Sequence, residues 1–194
     1  MTRTAAIQAI IDATVEEPII FAAGEPARIA RRIADRPNHF YLTGSSGLVS
    51  SVGIGVALET RRPTVVVDGN GSLLTNPGGL ITAGLLTDLP LVHVVLDTAM
   101  QTAGGGTMML SRRVDLCGLA QAAGYPHVYS TGTLDEFAGL VRSQIAVCTS
   151  PVFIRVVLAE DDEVTPVRLG ADLEQHARRF YDHVSAPEWL AGAA

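Results

Sequence analysis

Cysteine is scarce in this 194-residue chain. The two present, Cys117 and Cys148, lie 31 residues apart with no Cys-x-x-Cys neighbour. That excludes a disulfide framework and a thiolate metal knuckle, and leaves buried thiols on helices or helix ends. Basic blocks are missing as well. Lys and Arg total 14 against 20 acidic residues, a net charge of −6, which argues against nucleic acid or an anionic membrane surface as partner. No apolar run reaches the roughly 18 residues of a membrane-spanning helix. Met1-Thr2-Arg3-Thr4 leads into an amphipathic helical pattern where a signal peptide would have an apolar core, so the expected compartment is the cytoplasm. The five histidines (His39, His93, His127, His176, His183) show no metal-ligand spacing. His93, between Val92 and Val94, reads as a packed core imidazole, and His39 as a turn or surface histidine. Repeats and interdomain linkers are absent too.

What the chain does have is apolar surface. Hydrophobic residues make up 47% and mean hydropathy is +0.28, enough for one domain with a sizeable core and for a parallel sheet buried on both faces. The pattern alternates helix and strand. Helices are predicted over 4–15, from Gly24 to Arg36, over 48–58, 78–86, 116–123, 134–149 and around 171–184. Strands are predicted at 19–22, 40–42, 64–68, 91–96, 125–129 and 151–158. Residues 1–160 form the expected domain, and 161–194 a polar C-terminal extension with one helix.

Residues 65–76, Val-Val-Val-Asp-Gly-Asn-Gly-Ser-Leu-Leu-Thr-Asn, carry most of the functional information. A β-branched run stops at a glycine-punctuated turn. Gly69 and Gly71 let the backbone bend and approach a ligand without a Cβ between them. Ser72 and nearby amides would then face an anion. A second strand, Leu91 to Leu96, ends in Asp97-Thr98, 27 to 28 residues after Asn70, about one parallel β-α-β crossover. Both turns would meet at the carboxyl ends of their strands, where open α/β sheets bind ligands.

On these residues the chain resembles thiamine diphosphate enzymes, specifically the diphosphate-binding half of sulfopyruvate and phosphonopyruvate decarboxylases. That family carries Gly-Asp-Gly-Ser, a helix, then a strand ending in Asp-Asn, whose Asp and Asn hold Mg²⁺ on the cofactor diphosphate. Gly69-Asn70-Gly71-Ser72 and Asp97-Thr98 match here. Upstream, Asp35-Arg36-Pro37, Phe40-Tyr41 and Gly44-Ser45-Ser46-Gly47-Leu48-Val49-Ser50-Ser51-Val52-Gly53 are similar to the family's Asp-Arg-Pro, Asn-Phe-Tyr and Gly-Ser-Met-Gly-Leu-Ala-Ser-Ser-Ile-Gly. The resemblance covers roughly residues 4–158.

The resemblance implies an α/β fold, a parallel sheet with helices on both faces: the diphosphate-binding domain of the thiamine diphosphate-binding fold. It implies thiamine diphosphate and Mg²⁺ as cofactors. The cofactor would be bound by Gly44, Ser45, Ser46, Gly69, Asn70, Gly71, Ser72 and Thr98, and the metal by Asn70, Thr98 and the carbonyl of Met100. Departures from the family accompany the match. Ser46 stands where the family has a Met that bends the cofactor; Leu48 is the apolar residue nearest to that task. Asn70 replaces a carboxylate and Thr98 an amide, so restoring Asp and Asn is expected to tighten Mg²⁺. Asp97 is expected in a structural part or as a partner behind the metal ligands. Ala103-Gly104-Gly105-Gly106-Thr107 replaces Ser-Thr-Gly-Gly-Gln.

No catalytic residue is assigned within the chain. The family's activating glutamate lies in a pyrimidine-binding domain, so a pyrimidine-binding alpha subunit carrying it is the implied partner. The implied function is the beta subunit of a heteromeric carboxy-lyase that decarboxylates a small 2-oxo acid with an anionic tail and is active only with its partner. A carboligase on the same cofactor, and a degenerate structural or regulatory subunit of the same fold, are the alternatives.

Overall fold

The computed structural model describes residues 1–98, 113–159 and 173–186. Six strands, β1 (Ile19–Phe21), β2 (His39–Tyr41), β3 (Thr64–Gly69), β4 (Leu91–Asp97), β5 (His127–Thr131) and β6 (Val152–Val157), form one sheet in the order β2-β1-β3-β4-β6-β5. Every pairing is parallel. Central strands read as unbroken apolar runs because both faces are covered; all seven residues of β4 are buried. The fold is therefore α/β, as the sequence predicts.

Side chains alternate between two cores. Val65, Val67, Val92, Val94, Val152 and Ile154 pack with α1 (Arg3–Ala13), α2 (Glu25–Ile33) and α7 (Leu134–Ala146). Val66, Val95 and Phe153 pack with α3 (Val49–Thr60), α4 (Asn70–Thr75), α5 (Gly78–Leu85), α6 (Leu116–Ala123) and α8 (Leu173–Val184). Each fully buried aliphatic or aromatic side chain contributes about 1.5–3 kcal/mol. The glycine-containing α3 lies close on the sheet, since a Cβ at Gly53 would overlap the Val66 side chain. Among the described residues, no helix is long and apolar enough to cross a membrane.

The helix α8, predicted around 171–184, runs from Leu173 to Val184. It covers the edge strand β2: His176 Nε2 accepts the Tyr41 amide at 3.1 Å, and Phe40 packs against His176 and Phe180. An otherwise unpaired strand edge is thereby closed.

His39 corrects an expectation. It is a strand residue with 0% exposure. Parallel pairing of Ile19 with His39 starts β2 one residue earlier than predicted, which turns the imidazole inward onto Phe21. Its Nδ1 lies 3.0 Å from the Ala34 carbonyl. His93 is the core imidazole expected, 3.2 Å from the Tyr125 hydroxyl and 3.4 Å from Asp68. Cys148 is buried, with its thiol pushed up to about 11 by burial; Cys117 is half-buried and also raised by burial.

Strand order fixes where a ligand fits. From β1 the chain crosses outward to β2, and from β3 it crosses the other way to β4. The carboxyl ends of β1 and β3 therefore border a topological switch point, the place where loops diverge and leave a crevice.

Candidate functional site

A cleft of about 410 Å³ opens at that switch point. Three connections contribute to it: Ala22 to Pro26 and Arg28 after β1, Gly69 to Ser72 after β3, and Thr98 after β4. Ser46 from the loop after β2 and Arg3 from α1 complete the polar lining.

The turn after β3 is held by its own polar groups. Asp68 Oδ1 accepts the Gly69 amide at 2.8 Å. Asn70 Oδ1 accepts the Gly71 amide at 3.0 Å, and Asn70 Nδ2 donates to Asp97 Oδ1 at 3.0 Å. Asp97, only 2% exposed, receives Arg155 Nε at 2.8 Å and Nη2 at 2.7 Å on its other oxygen. Asp97, the last residue of β4, thus ties the turn after β3 to Arg155 of β6. Gly69 has ordinary extended torsions and no atom within 4 Å of where a Cβ would sit. Neither backbone strain nor packing requires glycine there, and the space it leaves borders the cleft.

The other glycine loop is tied to this turn. Ser72 Oγ accepts the Gly47 amide at 3.1 Å, and Asn76 Nδ2 donates to the Gly47 carbonyl at 3.1 Å. Gly47 has φ +86° and abuts Asn76, so this position does demand glycine. The predicted loop residues divide: Ser46 lines the cleft, whereas Gly44 and Ser45 are exposed and outside its lining. Leu48 is 43% exposed and outside it as well. Met100 and Ala103 to Thr107 lie outside the described residues.

Sequence reasoning missed the contribution from β1. Gly24, with φ +96°, precedes the nine-residue α2 with Pro26 in its first turn, so the positive end of that helix opens on the cleft. Arg3 and Arg28 add guanidinium charge, and Glu25 is ion-paired to Arg3. The signal was available in Phe21-Ala22-Ala23-Gly24-Glu25-Pro26, a strand end followed by glycine and a helix-starting proline. Strand order alone shows that β1 borders β3.

The donor set suits a diphosphate with a hard cation. Ser46, Ser72, the α2 N-terminus and two arginines provide donors and positive charge for phosphate oxygens. Asn70 and Thr98 bring neutral oxygens to the cleft lining, donors that would suit a cation whose charge the phosphates balance. Among the described residues there is no group of three or more His, Cys, Asp or Glu placed to hold a metal ion.

Residues 22–156 match the family described as thiamine pyrophosphate enzyme, C-terminal TPP binding domain. Phosphonopyruvate decarboxylase of Streptomyces hygroscopicus is 34% identical over 193 residues, covering 99% of this chain and 48% of that protein. Sulfopyruvate decarboxylase subunit beta of Methanothermobacter thermautotrophicus is 33% identical over 184 residues, 95% of this chain and 96% of that one. The chain thus spans about half the length of the phosphonopyruvate decarboxylases it matches, and nearly all of that beta subunit. Among solved structures, benzoylformate decarboxylase of Polynucleobacter necessarius superposes with a TM-score of 0.70 at 17% identity, over 84% of this chain and 34% of that one. This last likeness concerns the fold alone.

Proposed function

The chain belongs to the thiamine pyrophosphate enzymes, with sulfopyruvate and phosphonopyruvate decarboxylases as its relatives, and from this we propose that it is the diphosphate-binding beta subunit of a two-chain 2-oxo acid decarboxylase. Its substrate class is a small 2-oxo acid with an anionic tail, as in sulfopyruvate or phosphonopyruvate. The observation that carries the reading is the convergence of Gly69 to Ser72, Ser46, Thr98 and the α2 N-terminus on one cleft. Thiamine diphosphate, when bound, supplies the electron sink for loss of CO₂.

The chain's own residues bind and orient. Backbone at Gly69 and Gly71 admits the diphosphate, while Ser46 and Ser72 donate to it. Gly44 and Ser45 border the same loop and would close on the cofactor from the rim. A Mg²⁺ on the diphosphate would take the Asn70 amide oxygen, the Thr98 hydroxyl and the carbonyl of Met100. Proton chemistry falls to a pyrimidine-binding alpha subunit and its glutamate. We place the heteromer in the cytoplasm, a reducing compartment in keeping with two free thiols.

The test is coexpression with a pyrimidine-binding chain, followed by calorimetric titration with thiamine diphosphate and Mg²⁺ and an assay of CO₂ release. The pair is expected to bind the cofactor and turn over, and the chain alone to release no CO₂. Robust turnover by the isolated chain would overturn the two-chain reading. One observation favours a second reading, a non-catalytic subunit: Leu48 lies outside the cleft lining, which leaves only the small Ser46 where the family bends its cofactor. A pair that assembles yet binds no cofactor would establish that reading instead.

A further inference from the structure

The Asn70 side chain is locked in one of its two possible orientations. Its nitrogen donates to Asp97 Oδ1 and its oxygen accepts the Gly71 amide, each at 3.0 Å. Turning the amide over would set its NH₂ against the Gly71 N–H and its oxygen against a carboxylate. Two repulsive contacts would replace two bonds. The lock depends on Asp97 Oδ1 accepting the Asn70 amide from one side. Arg155 fixes the same carboxyl group with two bonds to Oδ2, at 2.8 and 2.7 Å. Asn70 and Arg155 touch opposite oxygens of one buried carboxylate. The arrangement therefore links the guanidinium, through one carboxyl group, to the direction in which a neutral amide, itself lining the cleft, presents its oxygen.

We infer that Asp97 and Arg155 are positioning residues: they hold the oxygen of Asn70, not its nitrogen, toward a cation bound with the diphosphate. This rests on the cofactor reading proposed above. It also explains how a neutral residue serves where a carboxylate would be expected. A carboxylate presents oxygen whichever way it turns, whereas an amide needs a partner that chooses for it. Partners that orient metal ligands in this way typically change metal affinity by about 10- to 100-fold when removed.

The test uses the full chain, inorganic pyrophosphate and Mn²⁺ in calorimetric titrations. The readout is the ratio of pyrophosphate affinity with Mn²⁺ to that without it. Asp97→Asn and Arg155→Met are each expected to lower this ratio about tenfold while leaving metal-free pyrophosphate affinity within about twofold. Arg155→Lys, which keeps the charge, is expected to retain most of the ratio. Because Arg155 acts through Asn70, Arg155→Met is expected to cause no further loss in an Asn70→Ala background. The same ratio in folded Arg155→Met as in the wild type, or full additivity in the cycle, would overturn the inference. Pyrophosphate binding by the wild type without any Mn²⁺ enhancement would overturn it alone. Failure of the wild type to bind pyrophosphate in either condition would remove the cofactor reading and the positioning role together.

Discussion

The hydroxyl of Ser72 accepts the backbone amide of Gly47 at 3.1 Å, joining the two glycine loops that follow β2 and β3. With that lone pair engaged, the hydroxyl proton is left to donate, and Ser72 lines the cleft. One residue thus makes a loop-to-loop bond and also lines the cleft.

Ser72→Ala is expected to affect both. The Gly47 amide, in a buried residue, would lose its acceptor, at a cost of about 1–3 kcal/mol, and diphosphate affinity would fall with it. Ser72→Thr, which keeps the hydroxyl, should restore most of each. Urea unfolding and pyrophosphate titration check the pair of effects. If Ser72→Ala unfolds at the wild-type midpoint, the loop-to-loop bond carries no weight.

Gly69→Ala separates ligand space from folding. Its torsions, φ −110° and ψ 150°, suit any residue, and no atom lies within 4 Å of the place a methyl would take. Stability is expected to stay level or rise by about 0.4–1 kcal/mol, because the unfolded chain loses freedom. Diphosphate affinity is expected to drop about tenfold or more, equivalent to about 1.4 kcal/mol. Thermal melting alongside calorimetry decides it. Unchanged affinity would mean the space beside Gly69 does not receive the ligand.

Much of the fold is legible in the sequence because central strands and amphipathic helices announce themselves by period. The strands starting at Thr64 and Leu91 sit where their apolar runs do, and α6 matches its predicted span from Leu116 to Ala123. The short α4 is not legible: Asn70 to Thr75 contains a glycine and no helical apolar repeat, and its fold follows from what its side chains bond. Strand β5 is predicted from Tyr125 but begins at His127. Tyr125 belongs to the end of α6, its amide donating to Ala120 at 3.1 Å while the Gly124 amide donates to Gln121 at 3.0 Å, a Schellman-type closure. In the site, the turn at Gly69 to Ser72 is readable from local glycines. Arg3, Arg28 and Arg155 are not, since only the strand order brings them near.

Acid is expected to destabilise the domain through buried His39 and half-buried His176. Burial depresses His39 from 6.5 to about 4, against a raising contribution from the Ala34 carbonyl. His176 is lowered by burial and by Arg179. An unfolded histidine therefore takes up its proton at higher pH than either folded one. Stability is full above about pH 6.5 and declines as pH falls toward 4, by about 3 kcal/mol from His39 alone. His39→Asn, which can still donate to the Ala34 carbonyl but cannot take a proton, should flatten the decline between pH 6.5 and 5. Equal slopes in urea unfolding for the two proteins would show that His39 does not titrate on unfolding.

Asp97 also changes what restoring the family's metal ligands should do. Thr98→Asn adds a stronger neutral oxygen donor at the cleft and disturbs no described bond at Asp97, so Mg²⁺ is expected to bind more tightly with thiamine diphosphate present. Asn70→Asp is different. It replaces the donor that now lies 3.0 Å from Asp97 Oδ1 with a second carboxylate, and like charges at that distance cannot both ionise freely. Without metal, Asn70→Asp is expected to lose about 1–3 kcal/mol of stability near pH 8, with the loss shrinking as pH falls and one carboxyl takes a proton to donate to the other. With Mg²⁺ and thiamine diphosphate the cation offsets the added charge, so the melting temperature of Asn70→Asp should rise more on ligand addition than that of the wild type. The tightening expected from restoring both residues should therefore appear mainly at higher pH, where the new carboxylate is ionised. Melting curves at pH 6 and 8, with and without both ligands, test this directly. An Asn70→Asp protein as stable as the wild type at pH 8 without metal would show that Asp97 does not oppose the new charge.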